Sequence, residues 1–161
     1  MKKALFLNLV ILIMLVSCAT PFSGINYYSE KPLVSNQVFL SIDETSKTID
    51  GGSYLIPAGY TMVAINDTQT VKLGTIENKE IIKSSLISKG YSISKTIDPE
   101  GLTVVIESST SPEKSVVDIG FYMNDTDELL FLCKGIYGLG STMQDDLDNA
   151  LLEALKAVPA F

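Results

Sequence analysis

Val116-Val117-Asp118-Ile119-Gly120-Phe121-Tyr122-Met123 and Leu129-Leu130-Phe131-Leu132-Cys133-Lys134-Gly135-Ile136-Tyr137 are two apolar runs joined by the polar stretch Asn124-Asp125-Thr126-Asp127-Glu128. Each run has the length of a strand, and the polar connection is the composition of a turn, so the pair reads as a β-hairpin. Upstream, Leu102-Thr103-Val104-Val105-Ile106 is a third strand, separated from the hairpin by the polar loop Ser108 to Lys114 with Pro112 inside it. Tyr91-Ser92-Ile93-Ser94-Lys95-Thr96-Ile97 alternates apolar and polar residues, the mark of a half-buried strand, and Asp98-Pro99-Glu100-Gly101 turns the chain into Leu102.

Helices bracket this block of strands. Thr75 or Glu77 opens the first, which runs through Ile81, Ile82, Ser85 and Leu86 to Lys89, with Glu77 and Glu80 early and Lys83 and Lys89 late, as the helix dipole prefers. Gly90 stands where a helix ends in a left-handed residue. Ser141 or Thr142 caps the last helix, with Gln144 or Asp145 as the partner three residues on. Met143, Leu147, Ala150, Leu151, Ala154 and Val158 form its apolar stripe, Asp145, Asp146, Asp148 and Glu153 face away, and Pro159 stops it.

Before the first helix the chain reads as β-rich. Val38, Leu40 and Ile42 alternate with Phe39, Ser41 and Asp43; Gly51-Gly52 reads as a loop; Tyr54-Leu55-Ile56 and Tyr60 to Ile65 flank a turn at Pro57-Ala58-Gly59, and Asn66 to Gln69 closes this part. The order β-β-β-α-β-β-β-β-α predicts an α+β fold, an antiparallel sheet with two helices packed on one face as a two-layer sandwich. It is a single domain over 36–161, preceded by a signal peptide and a flexible tether.

The N-terminus carries an address. Met1-Lys2-Lys3 is a basic start, and Ala4 to Val16 is an apolar run broken only by Asn8, the length of a secretory leader and short of the roughly 20 residues that span a bilayer. Leu15-Val16-Ser17-Cys18 follows the run. These residues resemble the lipobox of bacterial envelope lipoproteins. The resemblance implies that Cys18 is alkylated by a diacylglyceryl group, that a signal peptidase cuts between Ser17 and Cys18, and that the new amino group is acylated, as with palmitate. Cysteine suits the step because a thiolate is a good nucleophile. One chain holds a protein marginally, and two or three make the attachment durable.

On this reading 1–17 is signal peptide and 18–35 the lipidated N-terminus and tether. Tyr27-Tyr28 packs back on the domain edge rather than serving as a docking element. Ala19, rather than Asp, after the cysteine implies passage to the outer membrane by the lipoprotein sorting machinery. The half from Glu77 to Val158 also resembles small domains of envelope lipoproteins with accessory or unknown function, through Lys89-Gly90-Tyr91, the Asn124 to Glu128 hairpin and the final helix before Pro159.

Composition narrows the chemistry. Without residues 1–17 the chain keeps 144 residues, ten lysines and 19 acidic residues, a formal charge of −9; it holds no Arg, His or Trp. Nucleic-acid binding, which leans on basic patches, is disfavoured, and His-based triads, metal sites and pH switches are excluded. Cys133 has no disulfide partner once Cys18 is consumed, and reads as a small buried hydrophobe.

Four stretches bear on chemistry. Gly138-Leu139-Gly140-Ser141 ahead of a helix could cradle an anion but lacks the rest of a phosphate-loop pattern, and reads as a capping turn. Asp125, Asp127 and Glu128 lack calcium-loop spacing and read as a solvated hairpin tip; the acidic group Asp145, Asp146 and Asp148 reads as dipole-favoured residues of a helix start. Ser92 and Lys95 have a dyad's spacing, but on a strand they point to opposite faces. We therefore expect no enzyme, no cofactor and no metal. The expected partners are the membrane, through acyl chains on Cys18, and an envelope protein. The alternative is a lipoprotein that holds a small apolar ligand or lipid between sheet and helices.

Overall fold

The computed structural model describes residues 21–28, 33, 35–58 and 61–161. The signal peptide, the lipobox Leu15, Val16, Ser17 and Cys18, and part of the expected tether lie outside the described residues.

The fold is α+β. Six strands form one sheet: β1 (Phe22–Tyr28), β2 (Gln37–Ile42), β5 (Ser92–Ser94), β6 (Leu102–Thr110), β7 (Ser115–Met123) and β8 (Leu129–Tyr137), in the order β1-β8-β7-β6-β2-β5. Two more, β3 (Ser46–Ala58) and β4 (Thr61–Lys72), pair only with each other. Helices α1 (Ile76–Ser88) and α2 (Met143–Ala157) complete the chain.

The sheet is mixed rather than antiparallel as expected: β2 runs parallel to both β5 and β6. Periodicity reports which face a residue takes and is blind to strand direction, which here follows from the long excursions between β2 and its neighbours. The β7–β8 hairpin stands as read, with Ile119 opposite Cys133 and Phe121 opposite Phe131. A bulge at Leu130 lets two successive residues, Leu130 and Phe131, both be buried.

Strand β1 corrects the tether reading over 22–28. Its backbone pairs antiparallel with β8, Phe22 opposite Ile136 and Tyr28 opposite Phe131, with a register shift between Ile25 and Tyr27. The extra residue breaks the period-2 pattern, which is why the strand escapes a reading based on alternation. Gly51-Gly52 is likewise a bulge inside β3 rather than a loop, and Pro57-Ala58 is paired strand opposite Met62-Thr61.

One sheet face carries the core. Val38, Leu102, Val104, Ile106, Val117, Ile119, Phe121, Phe131 and Cys133 lie on it, buried under Ile82 and Leu86 of α1 and Leu147, Leu151 and Ala154 of α2. Phe121 stacks on Phe131 with ring centres 4.2 Å apart, and Tyr91 tilts against Phe121 at 5.4 Å. Gly135 admits α2 closest of all: a Cβ there would fall 2.0 Å from the Ala150 carbonyl oxygen and 2.3 Å from the Ala154 nitrogen.

Both helices are capped as their sequences suggest. The Thr75 hydroxyl accepts from the Asn78 N–H and the Thr142 hydroxyl from the Asp145 N–H. Gly90 follows the Lys89 cap at φ 94°. Buried Asn78 ties the helices together, donating to the Leu73 carbonyl and to Asp148 of α2.

Candidate functional site

The glycine turn before α2 and the acidic group in its first turns are occupied by structural bonds. Gly140, in the turn that might cradle an anion, donates its N–H to Asp146 Oδ1 at 2.6 Å. The chain's own carboxylate thus sits where an anion would. Asp145 accepts from the Ser141 hydroxyl, which holds its carboxyl below the usual range, and Asp148 accepts from Asn78 and from Gln144. Each acid of that group orders a helix start.

At the other end of the sheet, Asp127 takes φ 54° in the β7–β8 turn, its N–H donating to the Met123 carbonyl. Asp125 lines an open cleft of about 380 Å³ with Ser35, Gln37, Asp98, Glu100 and Met123. Asp98 there accepts from the Glu100 N–H, while Asn124 donates to the Asp98 carbonyl and accepts from Thr103. Among the described residues no group of three or more His, Cys, Asp or Glu side chains is placed to hold a metal ion. Ser92 lies on β5 and Lys95 beyond its end, and both are exposed.

Cys133 is fully buried, and desolvation pushes its thiol up to about 12. An uncharged, inaccessible thiol is a packing group. Asp43 moves the other way, to about 2, because the Thr45 hydroxyl and N–H donate to its carboxylate and Lys47 stands 3.0 Å away.

The remaining features are surfaces. The helix-free face of the sheet presents Val105, Val116, Leu132 and Ile136, half-buried, with no described element packed over them. Aromatic rings occupy the space beside two glycines of this face, Phe22 at Gly24 and Tyr122 at Gly120, where a Cβ would meet them. Asp118 and Lys134 cross it as directly opposed residues, 3.2 Å apart. A groove of about 500 Å³ between α1 and α2 has Ile81, Leu152 and Leu155 along it, with Lys89 and Lys156 at its rim. Those lysines are engaged, Lys89 with the Val158 carbonyl and Lys156 with Glu153.

The second surface is the β3–β4 arm. Its base is fixed in steps along α2: the Leu73 carbonyl accepts from Asn78, which also bonds Asp148; the Lys72 N–H donates to Gln144; and Gln69 Oε1 accepts from the Met143 N–H. Moving from Leu73 back to Gln69 therefore runs from the second turn of α2 to its first residue. Thr61 to Asn66 lie further along the same strand, paired with β3, and among the described residues β3 packs substantially on β4 alone. Met62 is 62% exposed, and a Cβ on Gly52 would meet nothing.

Sequence reasoning found this hairpin but not that, among the described residues, β3 packs substantially on β4 alone. A signal was present: from Gly51 to Asn66 there is no charged residue, between Asp50 and Asp67. Among the described residues no helix is long and apolar enough to cross a membrane. Comparison of the chain with protein-family models, curated proteins and solved structures finds no match.

Proposed function

We propose that this chain is a lipid-anchored protein of the bacterial cell envelope, held through acyl chains on Cys18, whose folded domain works by contact rather than catalysis. The observation that carries the contact role is the open sheet face, where Val105 and Leu132 on one side and Val116 and Ile136 on the other leave apolar surface about the Asp118–Lys134 pair, outside a completed core. An apolar patch of this kind suits association with another protein. On the opposite face the space between sheet and helices is filled by Phe121, Phe131, Ile82, Leu86 and Leu151. A ligand held between the layers would have to displace them, so the alternative of an internal lipid carrier draws no support from this packing. The lipobox resemblance and Ala19 support an outer-membrane destination.

The contact role is tested by cross-linking in cells and recovery of the full chain in mild detergent. Repeated recovery of one envelope protein, lost on Val116→Lys while the fold persists by circular dichroism, is the expected result. Recovery of the same material with and without the substitution, or of no partner at all, counts against the face.

A further inference from the structure

We infer that the open face of the sheet packs on the same face of a second copy of this chain, about a twofold axis that runs along the strands between β7 and β8. The inference rests on the contact role proposed for this face and names its partner: the envelope protein recovered with the chain is the chain itself.

Register is the first observation. Rows of directly opposed residues cross the face from β1 to β6. One is Phe22, Ile136, Val116 and Ser109, and the next is Gly24, Lys134, Asp118 and Glu107. Beyond it Leu132 of β8 stands opposite Gly120 of β7. A twofold axis between β7 and β8 lays β8 of one copy over β7 of the other, and β1 over β6. Ile136 then meets Val116 of the second copy, apolar on apolar in both directions. Leu132 comes over Gly120 of the second copy, where the Tyr122 ring occupies the space that a side chain would take. At the rim Phe22 comes over Ser109 and the exposed Glu107 over Gly24, large side chains on small ones. A face that fits itself in this way is what a twofold interface requires.

Charge is the second. In the central row Lys134 falls over Asp118 of the second copy and Asp118 over its Lys134, which closes a ring of alternating charges. Within one copy the pair is incomplete. Asp118 Oδ1 is shielded from water and takes no hydrogen bond, with the Lys134 ammonium 3.2 Å away. An ion pair shielded from water is favourable only when its remaining bonding positions are filled, and a second lysine fills them. Glu107, directly opposite Asp118 on β6, flanks the same incoming lysine. An axis across the strands would instead set Lys134 on Lys134 and Asp118 on Asp118, so the charges select the axis along them.

Area is the third. Strands β6, β7 and β8 are nine residues long and β1 seven. At about 3.4 Å per residue and about 4.8 Å between strands, the four cover a flat footprint of about 550 Å² on each copy. The pair covers about 1,100 Å², which passes the roughly 1,000 Å² of a specific interface. Aligned sheets pack about 10 Å apart, a gap that a lysine and an aspartate close between them.

The test uses full-length, lipid-modified protein in an excess of density-matched detergent, where sedimentation reads the protein mass. The parent should be a dimer. Asp118→Lys makes the centre of the charged row wholly cationic and Lys134→Glu makes it wholly anionic, so each alone should weaken self-association by about a hundredfold or more. Mixed in equal amounts, the two variants present opposite charges throughout and should form the dimer again as a mixed species, which also shows that both have folded. The double variant Asp118→Lys/Lys134→Glu keeps the pair within each copy at reversed polarity. It should dimerise with itself and not with the parent, and it decides the matter if circular dichroism shows a single variant unfolded. A dimer indifferent to the single substitutions overturns the inference, as do folded variants that stay apart when mixed. A monomeric parent overturns it too; the contact face then stands if Val116→Lys abolishes capture of a different envelope protein, and falls with the dimer if nothing is captured.

Discussion

Gly135 is the residue on which the two layers depend most directly. The α2 backbone lies where its Cβ would be, so Gly135→Ala must lift the helix from the sheet. Overpacking of a filled core costs about 1–3 kcal/mol, and contact with backbone puts this substitution at the upper end. Urea unfolding should show that loss. Cys133, on the same strand, should resist thiol reagents in the folded protein at mildly alkaline pH and react at once in denaturant, since burial and a pKa of about 12 both withhold the thiolate.

Asp43 makes a pH-dependent contribution. Its folded pKa of about 2 lies below the ordinary 3.8, so the unfolded chain takes up the proton first. The stabilisation is complete above the unfolded value and disappears as pH falls through the folded one. Asp43→Asn should therefore be less stable than the parent at about pH 6, and the gap should narrow between about pH 4 and pH 2 in chemical denaturation.

At the scale of elements, helix boundaries were the most legible part of the chain. Thr75, Gly90 and Thr142 are local signals whose physics is complete within a turn, and the structure places each as a cap or just past one. Thr142→Ala removes the acceptor for the Asp145 N–H and should cost about 1 kcal/mol in thermal or denaturant unfolding. β2 was legible from its alternation and β6, β7 and β8 as apolar runs, whereas Tyr91 to Ile97, which also alternates, forms only the three residues of β5.

Where a bulge intervened the pattern failed. The shift after Ile25 hid β1, and the shift between Asp50 and Ser53 made the middle of β3 read as a loop, so that its first half from Ser46 to Asp50 went unread. The parallel pairing of Val38 with Leu102 was not legible either, because faces alternate identically in both directions. The candidate site divides in the same way. That Asp146 fills the Gly140 turn depends on a long-range seating of α2 that no local spacing encodes. The arm's sequence was read as a hairpin, while its seating depends on the contacts that hold Gln69, Lys72 and Leu73 at its base.

At the scale of the whole molecule, the proposed function sets an acidic domain with an open sheet face at a membrane surface. On that proposal, with the acidic balance of the sequence, electrostatic adhesion would contribute little and the acyl chains on Cys18 would carry the attachment. The most direct measurement is the mass of the N-terminal peptide of the protein purified from membranes. The account predicts a chain that begins at Cys18 and carries a diacylglyceryl thioether, with Cys18→Ser accumulating unprocessed and unlabelled by lipid. A mature chain that begins at another residue, or one with Cys18 unmodified, would contradict it.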